Sequence, residues 1–151
     1  MTYAARTGVS TAKSRAEIET MLQRAGAKSF AIGWDAKGAS IVFELHKRRV
    51  KLVLPLPLPD EKRFHVDARG RPRAHSSAGR EWDFACRARW RALVLIIKAK
   101  LEAVASGVSV FESEFMAHIL MPDGKTVAEI VSPAIERSYT FDRPLMLGAG
   151  S

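Results

Sequence analysis

Four histidines, one cysteine and one close pair of carboxylates are the side chains suited to metal or acid–base chemistry. His46, His65, His75 and His118 share no metal-ligand spacing. Cys86 is the single cysteine, so it forms no intrachain disulfide and builds no zinc cluster. Glu112 and Glu114 stand two apart, on different faces of a helix, which is wrong for a general acid/base pair or a two-metal site. "DGKT" (Asp123 to Thr126) ends like a phosphate-binding P-loop, but Ile119 stands where its first glycine belongs and no strand precedes it. A turn and a helix cap account for it. "STAK" (Ser10 to Lys13) lacks the supporting triplets of the S-x-x-K hydrolases and reads as a helix start. These residues therefore imply no catalytic residue, no metal and no cofactor.

Arginine and lysine remain, and they are concentrated. The net charge is +8. From Lys47 to Lys100 there are 15 Lys or Arg against 5 Asp or Glu, whereas the rest of the chain has 9 against 11. A field confined to one third of the chain is the usual footprint of a phosphate-binding surface. His46, His65 and His75 lie in the same basic surroundings.

The cations fall into three groups. Lys47, Arg48, Arg49 and Lys51 sit at and after a turn. Arg69, Arg71 and Arg73 alternate with small residues, Gly and Pro within 60–80, a stretch that reads as a flexible basic loop. Arg80, Arg87, Arg91 and Lys98 fall on one stripe of a helix expected over 81–106, a ridge of about 27 Å at 1.5 Å per residue. Trp82, Cys86, Trp90, Leu93, Ile97, Leu101 and Val104 form its apolar stripe. Arg89 and Lys100 flank that stripe, and the aliphatics Val94 to Ile96 are expected to be covered from a further side. Among aromatics near the cations, Phe64 in the loop is the candidate for base stacking, while Trp90 and Trp82 belong to the core stripe.

The elements that must position these groups follow from periodicity. Residues 10–26 read as a helix, with Ser10 or Ser14 as N-cap and Gly26 as its stop. Phe30, Ile32 and Trp34, then Ile41, Phe43 and Leu45, then Val50, Leu52 and Leu54 alternate with period two. They predict a three-stranded antiparallel meander with one buried face. Ala31, Gly33, Val42, Glu44, His46, Lys51 and Val53 make the other face, solvated or used for binding. "PLPLP" (Pro55 to Pro59) ends the meander. After the long helix, Ser109 with Glu112 and Thr126 with Glu129 have capping-box spacing and predict two short helices. Pro133 should kink or split the last. The fold class is α+β: N-terminal helix, meander, long amphipathic helix, two short C-terminal helices. One domain is expected over 10–143, with a flexible N-terminus at 1–9 and a flexible tail at 144–151.

The longest strongly apolar run, Ala92 to Ile97, is far short of a bilayer span of about 20 residues. The first residues lack the apolar centre of a signal peptide. The cytoplasm is the expected location, with no membrane partner.

Val9 to Asp35 and Arg87 to Glu129 together resemble an uncharacterised family of small basic proteins carried by bacteriophages, prophages and other mobile elements. The resemblance brings no catalytic residues. It implies a mobile element in a bacterial cytoplasm, where such proteins serve DNA replication or recombination or counter host defences. The combined expectation is a non-catalytic protein that binds the phosphate backbone of nucleic acid, single-stranded DNA ahead of duplex, with little sequence specificity. The alternative is a protein-binding inhibitor of a host defence or nucleic-acid enzyme.

Overall fold

The computed structural model describes residues 11–148. The expected flexible N-terminus and residues 149–151 of the tail lie outside that range. Helix α1 (Ala12–Ala25) leads into a meander of β1 (Ser29–Asp35), β2 (Gly38–Leu45) and β3 (Arg48–Pro55). A single turn, α2 (Lys62–His65), precedes the long helix α3 (His75–Ala105). A short α4 (Phe111–Phe115), a 3-10 turn (Met116–His118) and α5 (Val127–Phe141) complete the chain. The α+β reading holds, element for element, apart from the segment between the sheet and α3.

The sheet is antiparallel in the order β1-β2-β3. Ile32 pairs with Ile41 and Phe43 with Val50, so the alternating apolar sets share one face. That face packs under α1, through Ile18 and Leu22, and under α3, through Trp90, Leu93, Val94 and Ile97. Phe111 and Phe115 close the end of this core. Helix α1 starts after Thr11 rather than Ser14 and ends at Gly26, whose positive φ of 97° suits glycine. At the free edge of β3, Ile119 makes a bridge with Val50, and the Leu120 amide donates to the Arg49 carbonyl at 2.7 Å.

Trp34 departs from expectation. It has the right periodicity for the core, yet it is 62% exposed. Strand β1 lies at an edge, and its last three residues are exposed in sequence. The Arg15 guanidinium stands 5.9 Å from the Trp34 ring.

The 60–80 stretch is not a structureless loop. It contains α2, a β-bridge between Val66 and Pro72, and the first turns of α3. Phe64, Ala78, Trp82 and Cys86 form a second small core there, joined to the first through Leu56. The Trp82 indole N–H donates to the Pro57 carbonyl at 2.7 Å, which ties the proline-rich strand exit to α3. Composition misleads because Ala78 and Gly79 favour close packing here: both are buried. Tertiary contact thus extends α3 through residues of poor helix propensity, to 31 residues.

The two C-terminal expectations fare differently. The Thr126 hydroxyl oxygen accepts from the Glu129 amide at 3.2 Å, so that cap forms as the spacing predicts. Ser109 does not cap α4, whose N-cap position is Val110. Helix α5 is not split at Pro133 but runs through it. That proline is exposed, and its missing N–H lies well inside the helix.

Candidate nucleic-acid interface

Helix α3 presents one side chain in every turn to the same exposed stripe. Arg80, Phe84, Arg87, Arg91, Leu95 and Lys98 are spaced four, three, four, four and three apart, and all six are exposed. The ridge expected from sequence is therefore real and uncovered. Among the described residues, Arg80, Arg87 and Lys98 enter no ion pair. Arg91 does: its Nη1 donates to Glu17 Oε2 of α1 at 3.0 Å. That pair is exposed and therefore weak, on the order of 0.2–1 kcal/mol. It still offsets part of the Arg91 charge and orients the side chain toward α1.

Phe84 is the residue the sequence reading missed. It is 65% exposed between Arg80 and Arg87, with the Arg87 guanidinium 6.0 Å from its ring centre. An exposed phenyl between cations offers a stacking surface for an unpaired base, with phosphate contacts on either side. Its spacing from Arg80 and Arg87 carried the signal. Phe64, the sequence candidate, is 4% exposed and packs in the second core. Its ring is capped by the Arg63 guanidinium at 4.6 Å, so it does not reach a base. Leu95 and Ile96 also correct the sequence view, since both are exposed and only Val94 of that run is buried.

The 69–73 arginines are organised by Asp67. One carboxylate oxygen accepts from the amides of Arg69 and Arg71, both at 2.9 Å, and the other accepts from Arg71 Nε at 3.1 Å. The Arg71 amide first, then the Arg69 amide and the Arg71 side chain, hold the Asp67 carboxyl below its ordinary range against burial, which raises it. Arg73 donates to the carbonyls of Arg63 and Phe64 at 3.4 and 3.5 Å. Of the three, Arg69 is left with its guanidinium outside these bonds. The expected clamp is a folded turn in which Asp67 holds Arg71 and two backbone carbonyls hold Arg73.

Lys47, Arg48, Arg49 and Lys51 border a different feature. A cleft of about 1060 Å³ lies between the sheet and the 116–127 segment. Ala31, Gly33, Ser40 and Val42 form its floor, and Met116, Leu120 and Met121 a wall. Arg48 is paired with Glu112 at 3.5 Å, both well exposed. His46 and Lys47 form the two-residue β2–β3 turn with φ of 50° and 62°, a left-handed pair usually filled by Asn-Gly. The His46 ring lies 4.9 Å from the Phe111 ring, which anchors the turn.

Side chains of a strand alternate between faces. Ile41, Phe43, Val50 and Leu52 face α3, so Val42 and Lys51 face the cleft on the opposite side. The ridge and the cleft rim are thus two basic surfaces separated by the sheet, and no single strand of nucleic acid lies flat across both.

Other cations are structural. Arg89 donates to the Pro55 carbonyl at 3.1 Å, and Lys100 Nζ to the Glu114 carbonyl at 3.0 Å and its carboxylate at 3.3 Å. His118 is half-buried, and its pKa is lowered by burial first and by the Lys100 charge second. Among the described residues no three of His, Cys, Asp and Glu gather as a metal site would require. No helix among them is long and apolar enough to cross a membrane. Comparison with known proteins gives no match: no protein-family model, no curated protein and no solved structure is similar to this chain.

Proposed function

We propose that this chain is a non-catalytic nucleic-acid-binding protein of a phage or other mobile element, working in the bacterial cytoplasm. It holds the phosphate backbone along α3 with little sequence specificity and takes single-stranded DNA ahead of duplex. The observation that carries this reading is Phe84, exposed between Arg80 and Arg87 in the amino-terminal part of the Arg80–Lys98 ridge. Three cations without ion pairs supply phosphate contacts, and the ring supplies a stacking platform that a duplex cannot use. The mobile-element setting rests on the resemblance of two sequence blocks.

A second reading has its own support. The cleft on the opposite sheet face has a largely apolar floor and a cationic rim. That combination suits an acidic protein surface, as an inhibitor of a host defence or nucleic-acid enzyme would require.

Fluorescence anisotropy with labelled single-stranded DNA, duplex DNA and RNA across a salt series tests the first reading. The logarithm of affinity should fall with the logarithm of salt at about −0.7 per phosphate contact on single strands and about −0.9 on duplex. Arg80→Ala, Arg87→Ala and Lys98→Ala combined should flatten the single-strand slope by about 2 with an unchanged melting curve. Absence of binding at low salt to all three probes would refute the reading and favour an acidic protein partner.

A further inference from the structure

We propose that the cleft on the outer face of the sheet is a docking groove for one short amphipathic helix of a partner protein. The helix turns an apolar stripe to the floor and acidic residues to the cationic rim. The inference rests on the second reading above, in which this cleft takes an acidic protein surface, and it names the form of that surface. The floor suits close approach. Ala31 pairs with Val42 and Gly33 with Ser40, and strand alternation puts all four on the face away from α3. None is larger than valine, so the main chain of β1 and β2 is nearly bare there. Met116, Leu120, Met121 and Val127 stand against it as a wall. Met116 and Met121 are 47% and 40% exposed, and their unbranched thioethers adjust to the shape of an apolar partner. With strands about 4.8 Å apart, the distance from β1 to residues 119–121 beyond β3 is roughly 14 Å, enough for a helix of about 10–12 Å.

Main-chain bonding disfavours an extended occupant. The β3 edge beside the cleft is already taken, by the Val50–Ile119 bridge and by the Leu120 amide, which donates to the Arg49 carbonyl at 2.7 Å. Beyond it the Met121 amide donates to the Lys125 carbonyl at 2.8 Å, and the Val127 amide to the Ile119 carbonyl at 3.0 Å. An added strand finds no ladder to join on that side, whereas a helix satisfies its own main chain. The cleft is also open along one side, so its occupant keeps a wetted face. An amphipathic helix has such a face and a buried acyl chain does not.

Charge complementarity sets the sign of the occupant. Lys47, Arg48, Arg49 and Lys51 border the cleft. Against them stand Glu112, paired with Arg48 at 3.5 Å, and Glu44, opposite Arg49 across the β2–β3 pair. Four cations against two acids leave a positive rim, and among the described residues Lys47, Arg49 and Lys51 enter no ion pair. Lys51 lies opposite Val42, where the rim meets the apolar floor. An acidic residue flanking an apolar stripe meets both at once. A nucleic acid fits less well: it would lay phosphates over an apolar wall, and no aromatic ring lines the cleft for a base to stack on.

The test is fluorescence anisotropy of the full chain with a labelled peptide of about 16 residues, acetylated and amidated, long enough to hold a helix. It carries Leu at i, i+3, i+4 and i+7 spacing, Glu beside the Leu stripe and Gln elsewhere. This peptide should bind, and a version with Lys for Glu should show no binding up to about 1 mM protein. Gly33→Leu should raise the dissociation constant by about 10-fold or more, because the new side chain fills the floor. A Cβ at Gly33 meets nothing within 4 Å, so that variant should melt like wild type. Lys51→Glu should also weaken the peptide by about 10-fold or more, through the reversed charge. Gly33→Leu should leave single-stranded DNA affinity unchanged, since the α3 ridge lies on the other side of the sheet. Wild-type affinity in Gly33→Leu, or equal affinity for a peptide with Ser in place of Leu, would overturn the helix and leave the acidic-surface reading standing. Binding of neither acidic peptide would overturn both. Single-stranded DNA that displaces the peptide, and that binds Gly33→Leu more weakly, would overturn the proposal and give the cleft to nucleic acid.

Discussion

Phe84→Ala is the sharpest perturbation of the ridge. The side chain is 65% exposed and belongs to neither core, so its removal should change folding stability by no more than about 1 kcal/mol. The lost contact with Arg87 is a 6.0 Å cation–π pair at an exposed site, worth about 0.5–1 kcal/mol and open to solvent. In the complex the loss is larger. Base stacking on an aromatic ring contributes about 1–3 kcal/mol, which is roughly a 5- to 150-fold rise in the dissociation constant. Duplex DNA has no unpaired base to place on the ring, so its affinity should stay within about twofold. No phosphate contact is removed, so the salt slope should stay the same on both probes. Arg87→Ala is the converse case: it should flatten the single-strand slope by about 0.7 and weaken every probe. Anisotropy titrations of both variants at several salt concentrations read all four outcomes. If Phe84→Ala leaves single-strand affinity unchanged while Arg87→Ala lowers it, the ridge binds phosphate alone and the stacking argument is wrong.

Three further perturbations probe the scaffold. Gly38 has φ of 144°, and a Cβ there would lie 2.2 Å from the Leu54 carbonyl oxygen, so Gly38→Ala should cost about 3 kcal/mol or more. An unchanged thermal midpoint would contradict the pairing of β2 with the end of β3. Lys47 holds φ of 62°, so Lys47→Gly should stabilise the fold by about 1 kcal/mol in urea titrations while leaving binding to the α3 ridge intact. Burial first, and the nearby Asp83 charge second, push the Cys86 thiol from its ordinary 9.0 up to about 11. The folded state therefore keeps the thiol neutral where the unfolded chain ionises. That stability is fully present below pH 9 and is lost as pH rises toward 11, by about 3 kcal/mol at most. Iodoacetamide should label Cys86 slowly in the native chain at pH 8 and promptly in denaturant, and equal rates would show that the second core is open.

The parts of the structure legible in sequence are those where one local period meets one partner. Ile41, Phe43, Val50 and Leu52 alternate, and the hairpins between them leave one way to pair. The α3 ridge was readable for the same reason: Arg80, Arg87, Arg91 and Lys98 share a helical stripe whatever packs beside it. What was not legible depends on neighbours distant in sequence. Phe64 and Phe84 stand in similar sequence surroundings, but Trp82 and Cys86 pack with the first, whereas the second belongs to neither core and is left 65% exposed. Trp34 has core periodicity, yet only position at the edge of the sheet decides that it faces solvent. Asp67 could not be recognised as the organiser of 69–73, because its role lies in three hydrogen bonds to residues that composition alone marks as loop. The separation of the two basic surfaces was likewise invisible. It follows from the parity of Lys51 in β3 and from which side of the sheet α3 takes.

A single 31-residue helix is shared between two cores of unequal size. The larger holds it by Trp90, Leu93, Val94 and Ile97, the smaller by Ala78, Trp82 and Cys86. The amino-terminal half of α3 can therefore fray, with α2 and the Asp67 turn, while the sheet and the carboxy-terminal half stay closed. Amide hydrogen exchange would divide the helix into two cooperative units, the earlier one opening at lower free energy. Arg80 and Phe84 belong to that weaker unit, whereas Arg91 and Lys98 belong to the stronger. A polyanion spanning the ridge would tether one unit to the other, so occupancy should be visible as slowed exchange around Ala78 to Cys86, far more than around Leu93 to Ile97.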